Sequence, residues 1–160
     1  MKTAKASDWK TKPLPSIHTT VNLGRTFSIE EMDCIRRGFI PEEMEDKWFI
    51  YWQDDTLFFH RSWTGFCIYV AHFQCTNGEW RVIGAEVNAD PEQHHLSSDR
   101  LEPKLIDYLI DLLLLRRDAS FPSDSRSPGE SAIQAWSLVG RAMLGQFPDD
   151  YADVEDAPEA

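Results

Sequence analysis

Arg61, Glu86 and Asn88 have the side-chain types best suited to anion binding or proton transfer in a stretch rich in aromatic and β-branched residues. An arginine can clamp a phosphate or carboxylate through two parallel hydrogen bonds. A glutamate beside it could act as general acid or base. Neighbouring aromatics could stack on a base or sugar, and Trp48, Trp63 and Tyr69 supply them, with the hydroxyl of Thr64 close by. Whether these residues form a site depends on the elements that carry them.

Those elements read as strands. WFIYWQ, TLFFHRS, FCIYVAHFQC and WRVIGAEV have the composition that a pleated, half-buried surface favours. Asp54-Asp55 reads as a two-residue turn, Trp63-Thr64-Gly65 as a three-residue hairpin loop, and Asn77-Gly78 as the strongest short hairpin signal. The fold class is therefore α+β, with a four-stranded antiparallel β-meander over about 47–90.

Turn type sets register. The Asp54-Asp55 turn places Trp48 opposite Arg61, Ile50 opposite Phe59 and Trp52 opposite Leu57. The Trp63–Gly65 loop sets Arg61 against Cys67 and Phe59 against Tyr69. The Asn77-Gly78 turn then sets Tyr69 against Glu86 and Cys67 against Asn88. Alternation puts Trp48, Arg61, Cys67 and Asn88 in one row and Ile50, Phe59, Tyr69 and Glu86 in the next. Arg61 and Glu86 would lie about 10 Å apart at Cα, two strand spacings. They would form either a structural ion pair with Trp48 stacked on the guanidinium, or the floor of a ligand pocket. The candidate ligand-binding set is Arg61, Trp63, Thr64, Trp48, Tyr69, Glu86 and Asn88, with Glu86 as the candidate catalytic group.

The same register puts His60 on the opposite face with Phe49, Tyr51, Phe58, Ile68, Val70, Ala85 and Val87, as a hydrogen-bonded core histidine. His94 and His95 share a loop with Asp90 and Glu92, a weak metal signal. Cys34, Cys67 and Cys75 are odd in number and lack a CxxC pair, which suits reduced thiols in a cytoplasmic protein. A zinc site from Cys67, Cys75, His72 and His60 lacks ligand spacing. The chain contains no GxGxxG, P-loop, HExxH or GxSxG. Neither a cofactor nor a metal is expected.

Around the meander, residues 1–25 read as a flexible basic arm, 26–146 as a single α+β domain and 147–160 as a flexible acidic tail. A helix starts at Ser28, whose capping box closes at Glu31, and stops at Gly38. LEPKLIDYLIDLLLLRR and SAIQAWSLVGRAMLGQF read as two C-terminal helices, the first apolar around most of its girth. The formal net charge of −11 is the wrong sign for nucleic-acid binding unless the chain mimics DNA. It suits a basic protein partner. The N-terminus lacks the apolar core of a secretory signal and no run is long enough to span a membrane.

The run MEDKWFIYWQDDTLFFHRSWTGFCIYVAHF, continued by AEVNADPEQ and YLIDLLLL, resembles a group of small uncharacterised bacterial proteins with this spine, associated with ADP-ribosylglycohydrolase-type proteins as neighbours or fused parts. The resemblance spans roughly 27–117. It implies a link to ADP-ribose or nucleotide biology and carries over no catalytic residue. The chain lacks the acidic metal-binding motifs of true ADP-ribosylglycohydrolases and is too short for their helical fold. Three functions follow as expectations. The chain is a cytosolic binding or accessory domain for a nucleotide-like or phosphorylated ligand or a partner protein. Alternatively, it is an acidic interaction protein of the immunity, antitoxin or inhibitor kind, or an enzyme acting on a nucleotide or ADP-ribosyl group.

Overall fold

The computed structural model describes residues 2–118. The expected last helix from Ser131 and the tail 147–160 lie outside them. One antiparallel sheet organises the chain. Its strands are β1 (His18–Asn22), β2 (Thr26–Phe27), β3 (Trp48–Gln53), β4 (Thr56–Arg61), β5 (Cys67–Thr76) and β6 (Glu79–Asn88). The spatial order is β1-β6-β5-β4-β3, with β2 also paired to β6. The expected meander is therefore present, and β1 and β2 extend it to six strands. The sequence hides β1 because HTTVN is a short edge strand that buries only Val21. Its pairing comes from β6, where Thr20 faces Glu86 and Val21 faces Ala85.

Helix α1 (Ile29–Arg37) forms as the capping box dictates. The Ser28 hydroxyl accepts the Glu31 N–H at 3.1 Å, and the Glu31 carboxylate accepts the Ser28 N–H at 2.8 Å. Gly38 ends it at φ 70°. A Cβ there would run into the Ile50 carbonyl oxygen and Ala4, so a close backbone approach demands glycine. That approach is a two-way bridge between Phe39 and Ile50, which covers part of the outer edge of β3.

Helix α2 (Leu101–Leu109) continues into a π-helical turn, Ile110–Leu114. It buries Leu105, Ile106, Tyr108, Leu109, Ile110, Leu112, Leu113 and Leu114, in keeping with an apolar girth. Arg25 clamps its far end with two hydrogen bonds to Asp111, at 2.7 and 3.1 Å. Together α1 and α2 cover one face of the sheet, where Met32, Ile35, Ile106 and Leu109 pack with Trp48, Ile50, Phe59, Tyr69, Phe73 and Val82.

The opposite face carries Phe49, Tyr51, Phe58 and His60 and is covered in part by the N-terminal segment. The basic segment read from the sequence as an arm supplies this cover. Ala4 is 1% exposed and its N–H donates to the Arg37 carbonyl at 2.7 Å. Trp9 lies against Phe49, and the Lys12 N–H donates to the Gly65 carbonyl. The segment is held because the sheet's second face is apolar and needs cover.

Turn chemistry explains most of the register, and two bulges explain the rest. The β3–β4 pairing is as expected, with Trp48 opposite Arg61 and Ile50 opposite Phe59. At β4–β5, Arg61 donates its N–H to the Phe66 carbonyl, so the loop runs Ser62–Gly65, one residue longer than expected. A bulge beside Phe59 and His60 absorbs the difference. Phe59 still meets Tyr69, but His60 rather than Arg61 meets Cys67. At β5–β6 a second bulge falls between His72 and Phe73 and their partners Gly84 and Val82. Beyond it, Tyr69 faces Val87, and Val70 faces Glu86. Ile68, Val87 and Ala85 accordingly sit in the helix-covered core rather than with His60.

The Asp54-Asp55 turn holds both residues at positive φ, 54° and 58°. This is the I′ geometry that Asn-Gly satisfies more easily. Replacing the pair with Asn-Gly is expected to raise stability by about 1 kcal/mol. A shift in the urea midpoint without a change in slope checks it.

Candidate functional site

Arg61 projects from the end of β4 onto the helix-covered face. Its guanidinium carbon lies 4.7 Å from the Trp48 ring centroid. Trp48 in turn stacks on Tyr69 at 5.9 Å. Burial pulls the arginine's pKa down to about 10, which leaves it charged at neutral pH. Trp48, Arg61 and Tyr69 thus come together as the register implied. The space beside Arg61, lined by Lys47, Arg61, Trp63 and Thr64, measures about 30 Å³. That volume is of the order of one water molecule's share of the liquid.

Glu86 does not join them. The bulge at β5–β6 turns its side chain to the other face, because one extra residue reverses the alternation. There it accepts a 2.6 Å hydrogen bond from His72 Nε2, with His18 Nε2 at 3.9 Å. Asn88 shares that parity. Its amide donates to the Cys67 carbonyl at 2.8 Å and to Gln93 at 2.9 Å, so Asn88 and Cys67 stay neighbours. The expected Arg61–Glu86 pair, and any reaction using Glu86 as acid or base with Arg61 as clamp, loses its geometry.

The carboxylate that reaches this end of the sheet is Glu102, from the first turn of α2. It is 1% exposed. Its Oε1 accepts the Tyr69 hydroxyl at 2.6 Å, and its Oε2 accepts His94 Nε2–H at 3.1 Å and the Ser97 N–H at 2.7 Å. Burial disfavours the charge, but the bonds from His94, Tyr69 and Ser97 outweigh it and hold the carboxyl below the usual range. Burial, then the charge of Glu102, pushes the Tyr69 phenol well above its ordinary value. Sequence reasoning missed Glu102, since a glutamate in a helix's first turn reads as dipole compensation.

On the opposite face His60 is 3% exposed and donates Nδ1–H to the Gly65 carbonyl at 3.0 Å, leaving Nε2 buried without a partner among the described residues. It stacks on Tyr51 at 5.7 Å. Burial lowers its pKa, so the ring is neutral. Cys67 lies opposite it, but burial pushes that thiol up to about 12, which argues against a Cys–His nucleophile.

The loop after β4 contributes to a larger feature. Trp9, Lys10, Glu42, Glu43, Met44, Glu45, Ser62 and Trp63 line an open groove of about 700 Å³. The Trp9 indole N–H donates to the Ser62 carbonyl at 2.7 Å, and that of Trp63 to the Met44 carbonyl at 2.9 Å. The acidic turn is fixed by Asp46, whose carboxylate accepts the N–H groups of Glu42 and Glu43. Of the expected site residues only Trp63 takes part. Sequence reasoning missed Trp9, which stands out only as a large aromatic in a polar, lysine-rich segment.

Comparison with protein-family models, curated proteins and solved structures finds no match for this chain. Among the described residues no three His, Cys, Asp or Glu side chains converge as a metal site, and no helix is long and apolar enough to cross a membrane.

Two titrations test these assignments. Glu102→Gln is expected to lower stability at pH 7 by roughly 2 kcal/mol, the scale of a buried charge-assisted hydrogen bond. The wild-type advantage is present above the unfolded carboxyl value of about 4.3 and disappears as pH falls through the lower folded value. His60, depressed in the fold, contributes stability above about 6.5 that drains away as pH drops towards its folded value. Urea unfolding from pH 8 to 4 should therefore show a shallower acid loss in His60→Phe than in wild type.

Proposed function

We propose that this chain is a binding domain that recognises a partner protein, with the groove between Trp9 and Trp63 as its docking surface. The observation that carries this reading is a contrast in volume. The Trp9–Trp63 groove, at about 700 Å³, falls within the range of ligand-binding sites, whereas the space at Arg61, about 30 Å³, has no room for a nucleotide. Tryptophan is enriched where interfaces concentrate their binding energy, and both indoles are already oriented by backbone carbonyls. The formal net charge of −11 favours a basic partner, since complementary charge raises encounter rates and screens out wrong ones. This is the accessory-domain expectation narrowed to a protein ligand, and it overlaps the acidic immunity or inhibitor reading.

A phosphorylated or ADP-ribose-like ligand remains the competing proposal, supported by the charged Arg61 on Trp48 and by the resemblance of the strand sequences. It requires the Ser62–Gly65 loop to lift, and that loop is closed by hydrogen bonds from Gly65 to Arg61 and from Lys12 to Gly65.

A thermal-shift series separates the two. Peptides selected against the full chain from a displayed random library should raise the melting temperature, because a ligand that binds only the folded state stabilises it by mass action. The Trp9→Ala, Trp63→Ala double variant should lose that response. ADP-ribose and nucleotides should leave the wild type unmoved. A shift with ADP-ribose that Arg61→Ala abolishes would transfer the function to the small-ligand site.

A further inference from the structure

The chemistry of the groove narrows the ligand. Both indole N–H donors are committed to backbone carbonyls, so Trp9 and Trp63 offer ring surface rather than hydrogen bonds. The Trp63 ring already holds one cation, the Lys47 ammonium, 4.9 Å from its centroid. Lys47 is 4% exposed and does not line the groove, whereas Trp63 does. The same groove is lined by a turn with glutamates at 42, 43 and 45 and a methionine, Met44, that is 68% exposed. Among the described residues, Lys10 is the single cationic one of the lining. Glu45 makes no ion pair within the described residues.

Aromatic faces opposed by carboxylates suit a cation with a flat, weakly hydrated head and an apolar stem. A guanidinium stacks on indole and binds carboxylates through two parallel bonds, whereas an ammonium is compact and strongly hydrated. Met44 offers an adaptable apolar contact for the stem. The open shape and volume accommodate a few residues of extended chain rather than one isolated side chain.

We infer that the Trp9–Trp63 groove is an arginine-binding site, taking the guanidinium of an extended basic segment on the partner protein between the indoles and the glutamate turn. This rests on the binding-domain reading above and adds the chemical class of its ligand.

The test uses the full chain and indole fluorescence with three short peptides of otherwise identical sequence, carrying arginine, lysine or citrulline at the centre. Citrulline keeps the shape of arginine without the charge. The arginine peptide is expected to bind about tenfold more tightly than the citrulline peptide, a difference within the range of desolvated cation–π contacts. The lysine peptide should fall between them. Glu45→Gln, a surface change that leaves the indoles in place, should weaken the arginine peptide severalfold and flatten its salt dependence. Trp63→Phe should retain part of the affinity and Trp63→Leu little of it, with unchanged circular dichroism. Equal affinity for arginine and citrulline would overturn the inference, as would a Glu45→Gln variant that binds like wild type. If library-selected peptides without arginine occupy the groove, the arginine assignment fails while the binding-domain reading stands. If no peptide binds and sedimentation shows self-association through the groove, both fail.

Discussion

The hydrogen bond from the Tyr69 hydroxyl to Glu102 joins three parts of the molecule that the chain keeps far apart. Tyr69 sits mid-sheet on β5, Glu102 opens α2, and His94 and Ser97, which share the same carboxylate, belong to the loop between them. A carboxylate this deeply buried is tolerated only when its lone pairs are occupied. The loop and the start of α2 must therefore hold the positions that supply those donors. Asn88 performs a parallel role nearby, bonding Cys67, Gln93 and the Asp90 N–H from one buried amide. Arg25 and Asp111 tie down the other end of α2 and its π turn. With both ends held, the apolar girth of the helix packs against the sheet in one orientation.

That arrangement divides the molecule by chemistry. The helix-covered face is a conventional core in which Trp48, Phe59 and Tyr69 interlock at ring distances of 5.7 to 6.2 Å. Arg61 closes its open end as a charge laid on an aromatic ring. On the other face, the N-terminal segment covers Phe49 and places Trp9 beside the loop after β4. The groove exists because that segment, the acidic turn and the loop converge there. Each is held by backbone bonds: Lys12 to Gly65, Asp46 to Glu43, and Arg61 to Phe66. A surface assembled this way is pre-organised, which reduces the ordering cost of binding.

Much of this was legible beforehand. The sequence by itself determined the four strands of the meander, the capped helix α1, the two-residue turns and the β3–β4 register, because these follow from side-chain alternation and from local turn chemistry over a few residues. It also determined that Trp48, Arg61 and Tyr69 would share a face. The tertiary structure decided the rest. A bulge has no sequence signature as clear as Asn-Gly, yet one extra residue at Ile83 was enough to send Glu86 to the far side of the sheet. The carboxylate that took up the position near Tyr69 came from α2, and no local pattern says which helix turn will meet which strand. The N-terminal segment looked loose because its own composition is polar. It is held by an apolar sheet face supplied by residues forty or more positions away, and only long-range packing could bring Trp9 and Trp63 to one groove.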